Sequence, residues 1–168
     1  MTSPAGSDPQ TRPAVSGDVP RLVALYLAAA HELVTMRGGQ VLLGRHGRPG
    51  PVRTTFTRQL ADETQHLVVS SDAGVIVGYG SCRTYELGGS GSGTGLARLG
   101  SIEELYVVPE ARRRGVGRTI TVALLDWCRE AGCVGTDAIA LPGSRAMKSF
   151  FESEGFSARL LVMHRPLH

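Results

Sequence analysis

Between Leu105 and Gly117 the chain reads Leu-Tyr-Val-Val-Pro-Glu-Ala-Arg-Arg-Arg-Gly-Val-Gly, and this string constrains the fold more than any other feature. An apolar run suited to a strand, Ile102 to Val108, meets a proline. A basic turn follows, then two glycines two apart, then a stretch from Gly115 or Val116 to Ala131. There Val116, Ile120, Ala123, Leu124 and Trp127 recur every three to four residues, which predicts an amphipathic helix. The turn between strand and helix is chemically suited to an anion. A helix N-terminus leaves N–H groups unpaired and carries a partial positive charge. Gly115 and Gly117 lack the Cβ atoms that would block a pyrophosphate, and Arg112, Arg113, Arg114 and Arg118 add cationic donors. A lone Gly-x-Gly would better fit tight packing in a solvated basic turn; the complete string outweighs that reading.

The remaining chain supplies the layers around this unit. Residues 1–11 read as a flexible tail, and residues 12–168 as one domain. Arg12 to Val15 predicts a short strand, and Asp18-Val19-Pro20 a helix start with Asp18 as cap. The helix runs to about Arg37, with Leu22, Leu25, Tyr26, Ala29, Leu33 and Met36 on one face, and Gly38-Gly39 stops it. Gln40 to Pro51 reads as a loop and Arg53 to Asp62 as a second helix. His66 to Ser70 and Val75 to Tyr85 form a hairpin across Ser71-Asp72-Ala73-Gly74. The glycine-rich stretch Glu86 to Gly100 matches no phosphate-loop spacing and reads as a flexible hairpin loop. Asp137 to Leu141 is a further strand, Ser144 caps a last helix with Met147, Phe150 and Phe151 inward, Gly155 ends it, and Phe156 to Met163 closes the sheet. The result is an α/β fold, a mixed β-sheet with flanking helices in the order β-α-α-β-β-β-α-β-α-β.

Composition removes other classes. The chain has 168 residues, 42% hydrophobic and 20% charged, ordinary values for a globular domain. Its net charge of +3 is too small to argue for nucleic acid. The longest apolar run, Leu22 to Ala30, is too short to cross a bilayer, and Met1 to Pro13 has no secretory h-region. Cys82, Cys128 and Cys133 show no metal-ligand spacing and no pairing pattern, so they read as reduced thiols of a cytoplasmic protein without a metal.

Arg112-x-x-Gly115-x-Gly117 resembles the acyl-CoA signature of the GNAT acyltransferase superfamily, and Leu105-Tyr106-Val107 resembles the strand before it. Ser144 through Phe150-Phe151-Glu152 to Gly155-Phe156 is similar to that family's last helix and Gly-Phe turn. The resemblance implies a GNAT-like fold in which the signature strand splays from its neighbour and pairs with the pantetheine arm of acetyl-CoA. Leu105, Tyr106 and Val107 would then line the thioester and pantetheine. Arg112, Arg113, Arg114, Gly115, Val116, Gly117 and Arg118 would hold the pyrophosphate, and Ser144 would either bond the pantetheine or be occupied as a helix cap. Dimers are common in the family, but nothing in this sequence argues for a homodimer.

The implied activity is transfer of an acetyl group to a primary amine, of a small molecule or a protein, by direct attack on the thioester. An attacking amine must be neutral, so a base takes its proton, and the carbonyl oxygen needs a donor, for which the Val107 N–H is the candidate. Strand alternation puts Glu103 on the side of Leu105 and Val107 and Glu104 on the side of Tyr106. The resemblance, in which a base often sits two or four residues before the position matching Leu105, implies Glu103 as base. Glu104 and a water relay stay as alternatives. The family's usual tyrosine acid falls at Phe151, which has no proton to give, and its frequent asparagine falls at Ser144. The second reading is therefore a non-catalytic acyl-CoA sensor. A nucleotide-binding enzyme of another class is disfavoured because no Lys-Ser/Thr follows the glycines.

Overall fold

The computed structural model describes residues 8–88 and 97–165. The elements are β1 (Gln10–Pro13), α1 (Val19–Val34), α2 (Gly39–His46), α3 (Val52–Leu60), β2 (Gln65–Asp72), β3 (Val75–Leu87), β4 (Ala97–Val107), α4 (Val116–Glu130), β5 (Gly135–Ala138) and α5 (Arg145–Ser153). One sheet runs in the order β1-β2-β3-β4-β5. Its first four strands are antiparallel neighbours, and β5 joins β4 in parallel through the α4 crossover.

The two faces of the sheet bury different helices. Val19, Leu22 and Leu25 of α1 and Phe56 of α3 pack with Leu67, Val69, Tyr79 and Tyr106 on one face. Val116, Ile120, Leu124 and Cys128 of α4 pack with Val68, Cys82 and Ile102 on the other. The close seat of α4 depends on glycine. A Cβ at Gly80 would stand 2.5 Å from Ile120 Cγ2, and one at Gly100 would stand 2.5 Å from Cys128 Sγ. The β2–β3 hairpin turns on Ala73 and Gly74, both at positive φ (49° and 80°), the two-residue turn that matches strand twist.

Several expectations need correction. Gln10 and Thr11 are not tail; they pair with Ser71 and Ser70 in β1. Asp18 does not cap α1 with its side chain. Its carboxylate takes Arg12 at 2.7 and 2.9 Å and the Val15 N–H at 2.9 Å instead. Within Gln40 to Pro51, Gly39–His46 is the helix α2 rather than a loop. Gly39 is tucked beneath the last turn of α1, where a Cβ would collide with the Leu33 carbonyl, so packing overrides its low helix propensity. Of the expected loop Glu86 to Gly100, Glu86, Leu87 and Ala97 to Gly100 are strand, and residues 89–96 lie outside the described residues.

The last strand is the largest departure. Phe156 to Met163 forms none: Leu160, Leu161, Val162 and Met163 are all exposed. Among the described residues, Arg159 reaches Asp137 of β5 at 2.7 Å, while Phe156 stays with α5, donating its N–H to the Phe151 carbonyl at 3.0 Å and packing on its ring. His164, just beyond this stretch, is exposed as well. A run of apolar residues signals strand propensity, but a strand also needs a partner edge in register.

Candidate active site

The signature strand parts from its neighbour partway along. β4 pairs with β5 only from Leu99 to Ile102, where Ile102 meets Ala138, the last residue of β5. Among the described residues no strand lies beside the β5 side of β4 from Glu103 to Val107, while the β3 side stays paired as far as Val107. The Val108 N–H donates to the Val77 carbonyl on β3 at 2.9 Å. By alternation, Leu105 and Val107 direct their amide groups toward the open side. The Val107 carbonyl there accepts Arg112 Nε at 2.9 Å, which leaves the Val107 N–H at the edge.

The turn after β4 ends in an N–H-lined bend. A 3-10 turn over Pro109–Ala111 leads to Arg113 at φ 62° and Gly115 at φ 84°, and Gly115 is the N-cap of α4. Among the described residues, no protein acceptor takes the backbone N–H of residues 113 through 118. Two left-handed residues ahead of a helix start aim successive N–H groups to one side, a concavity suited to an anion.

The arginines divide by role. Arg112 grips both oxygens of Glu32 on α1 at 2.8 and 2.7 Å, so its guanidinium braces the turn rather than facing the N–H bend. Arg114 pairs with the largely buried Asp72 at 2.6 Å. Arg118 is exposed, 3.9 Å from Glu154, and Arg113 is exposed. Gly117 faces α5, with a hypothetical Cβ 3.4 Å from the Phe150 ring, and Val116 is buried under the sheet. Tyr106 is not at the open edge. Its side chain lies beneath α1 and its hydroxyl donates to Glu32 Oε1 at 2.8 Å, which with burial pushes the phenol up to about 12. Ser144 caps α5, its Oγ accepting the Met147 N–H at 3.4 Å. Phe151 is buried against Phe156.

Strand alternation fails at Glu103. The register shifts between Ser81 and Cys82, so that Ser81 pairs with Glu104, Cys82 pairs with Ile102, and Glu103 is the extra residue of a β-bulge. Cys82 faces α4, so its neighbours Ser81 and Arg83 face the other way. Glu103 bonds Arg83 Nε at 2.9 Å, and Glu104 lies with Ser81, its Oε2 at 3.5 Å from the Ser81 Oγ. Both carboxylates therefore share the face opposite α4, contrary to the alternation that separated them. Their surroundings separate them instead. Glu103 and Arg83 are partly open to solvent, while Glu104 is buried beside Arg48.

Arg48, between α2 and α3, was invisible as a site residue in a segment rich in Gly, Pro and Arg. Its Nη2 reaches Glu104 Oε2 and Gln59 Oε1, both at 2.6 Å, and its guanidinium lies over Phe56, 3.6 Å from the ring centre. The Tyr26 hydroxyl accepts its N–H at 3.0 Å. Burial raises the Glu104 carboxyl above the ordinary range even though Arg48 opposes the shift. His31 and His46 are exposed on α1 and α2.

Comparison with known proteins agrees with this geometry. A sequence profile described as the acetyltransferase (GNAT) family matches residues 40–156. A search of curated protein sequences returns no match. Among solved structures, a protein from Bacillus halodurans is similar at TM-score 0.79 and 18% identity, covering 95% of this chain and 99% of its own. A transcriptional regulator from Bacillus halodurans C-125 is similar at TM-score 0.69 and 21% identity, covering 94% and 99%. The aminoglycoside N-acetyltransferase AAC(6')-Iy, in complex with CoA, is similar at TM-score 0.68 and 16% identity, covering 99% and 100%. At these identities the likeness establishes a shared fold. With a family profile spanning more than half of its length, the chain belongs to the acetyltransferase (GNAT) family.

Proposed function

We propose that the protein transfers an acetyl group from acetyl-CoA to a primary amine, of a small molecule or a protein, by direct attack on the thioester. The observation that carries this reading is the unpaired edge of β4 from Glu103 to Val107, which leads into a bend of unsatisfied N–H groups at residues 113–118. An extended pantetheine arm can pair with such an edge as a strand would, at Leu105 and Val107, while the diphosphate sits at the helix N-terminus. The backbone of Arg113, Arg114, Gly115, Val116, Gly117 and Arg118 supplies the donors. Arg113 and Arg118, both exposed, supply charge.

In this reading the Val107 N–H stabilises the oxygen of the tetrahedral intermediate. Glu103 takes a proton from the substrate ammonium, directly or through water, so that the neutral amine attacks, after its half-exposed pair with Arg83 opens; such a surface pair holds by about 1 kcal/mol or less. The C–S bond breaks and the thiolate takes its proton from solvent, since Phe151 offers none. Its free cysteines suit a reducing compartment, the cytoplasm.

A panel of primary amines with acetyl-CoA, followed by thiol release and product mass, tests the reading. The expected result is release of one thiol per acetylated amine, and a Glu103→Gln rate lower by about 10²-fold. The buried, proton-free Phe151 favours one other reading, an acyl-CoA sensor. Tight acetyl-CoA binding without turnover on any amine supports that reading.

A further inference from the structure

All three cysteines lie at one place, under the junction of β3, β4 and β5. Cys82 Sγ on β3 and Cys128 Sγ on α4 are in contact at 3.2 Å, both buried. Cys133, just past the end of α4, donates its backbone N–H to the Cys128 carbonyl at 2.9 Å, packs against the Cys82 and Cys128 cluster, and is the one of the three that meets solvent. Gly100 of β4 and Thr136 of β5 close the site from the sheet side. Among the described residues these thiols form no metal-holding group, and the acyl-transfer reading uses none of them. Contacting thiols 46 residues apart in sequence, with a third as the route to solvent, form an arrangement that packing alone does not require.

We propose that the Cys82–Cys128 pair is an oxidation site that a hydroperoxide converts to a disulfide, with Cys133 as the point of entry. The Cys133 thiol reduces the hydroperoxide to an alcohol and becomes a sulfenic acid. The Cys128 thiol attacks that sulfur, forming a Cys128–Cys133 disulfide and releasing water. The Cys82 thiol then attacks Cys128, giving the Cys82–Cys128 disulfide and returning Cys133 as a thiol. The net change is two thiols and one hydroperoxide to one disulfide, one alcohol and one water. The electronic setting suits Cys128 as the attacking group. Hydrogen bonding from Cys82 lowers its thiol against the opposing effect of burial, with further help from Thr136, Cys133 and Arg129, while Cys82 is raised. The product would tie α4 to the sheet beside the point where β4 and β5 part.

The test is exposure of the intact protein to tert-butyl hydroperoxide, then alkylation, intact mass and peptide mapping. The expected product is 2 Da lighter before alkylation, takes one alkyl group at Cys133, and carries a Cys82–Cys128 cross-link. It also melts about 5–10 °C higher than the reduced protein, as closure of a long loop predicts. Cys82→Ser should lack that cross-link, and Cys133→Ser should form it at least tenfold more slowly. Oxidation of Cys133 to sulfinic acid with Cys82 and Cys128 still alkylatable after unfolding overturns the proposal. Wild-type speed in Cys133→Ser overturns the entry role. Acetyl-CoA affinity, measured by calorimetry on the reduced protein, reports on the acyltransferase reading separately.

Discussion

Arg112 and Glu32 join the two halves of the molecule: the signature arginine after β4 holds both oxygens of a carboxylate on α1, at 2.8 and 2.7 Å. The Tyr106 hydroxyl shares Oε1 of that carboxylate, so strand, turn and first helix meet at one group. Burial works to raise the Glu32 carboxyl, yet Arg112 and Tyr106 bring it below its ordinary value of 4.5. A depressed carboxyl binds fewer protons folded than unfolded, so its contribution is present above the unfolded value and is lost as pH falls through the folded one.

Glu32→Ala should therefore destabilise the protein by about 1–2 kcal/mol at pH 7, most of it from the stranded Tyr106 hydroxyl, because the Arg112 pair is half-exposed. In urea unfolding, the gap between wild type and variant should narrow below pH 4.5. A constant gap down to pH 3 would show that the interaction is not ionic.

Arg48 and Glu104 present the opposite sign. Burial raises the Glu104 carboxyl, so the folded state binds the proton more tightly than the unfolded chain does, and ionising it as pH rises costs stability. Arg48→Met removes the cation paired with it and should cost about 3–5 kcal/mol at pH 8, less at pH 5. The double variant Arg48→Met/Glu104→Gln should recover much of the loss and show a flatter pH dependence. Equal losses in the single and double variants, by urea titration at both pH values, would contradict an ionic origin.

These groups also mark where the sequence was and was not legible. The Arg-x-x-Gly-x-Gly string exposed the turn, the helix after it and the orphan N–H groups, because each follows from local backbone rules. The extra residue at Glu103 was not legible. A bulge is a property of two strands in register, and nothing in Ser-Ile-Glu-Glu-Leu says that Cys82 will skip to Ile102. Alternation from Leu105 back to Glu103 therefore gave the wrong face. Arg48 was hidden for a related reason. Its partners Tyr26, Gln59 and Glu104 come from three separate elements, and a Gly-Arg-Pro-Gly segment reads as solvent loop until they surround it. The stretch Phe156 to Met163 erred the other way, with strand composition but no paired edge.

Gly80 tests how tightly α4 is seated. A methyl group there would meet Ile120 Cγ2 at 2.5 Å and Leu124 Cδ1 at 3.0 Å, both fully buried in the helix that follows the N–H bend. Gly80→Ala should cost about 1–3 kcal/mol through overpacking and lower the melting temperature. Gly88→Ala, with nothing among the described residues within 4 Å of its Cβ, is the control and should leave the melting temperature near wild type.

Gly115 separates ligand binding from stability. Its φ of 84° is in the left-handed region, and among the described residues a Cβ there would meet only Pro9 Cγ at 3.9 Å, an ordinary contact. Gly115→Ala should thus cost about 1–2 kcal/mol of backbone strain without a clash, and the fold should persist. The same methyl group would stand at the N-terminus of α4, where a diphosphate must approach the N–H groups of residues 115–118. Calorimetry with acetyl-CoA should show affinity reduced at least tenfold, with the far-UV spectrum preserved. Gly117 is a poorer probe, because its Cβ position faces Phe150 at 3.4 Å and a large side chain there would displace α5 as well as any ligand. If Gly115→Ala binds acetyl-CoA as wild type does, the diphosphate does not rest on this bend, and the acyl donor must be held elsewhere on the sheet.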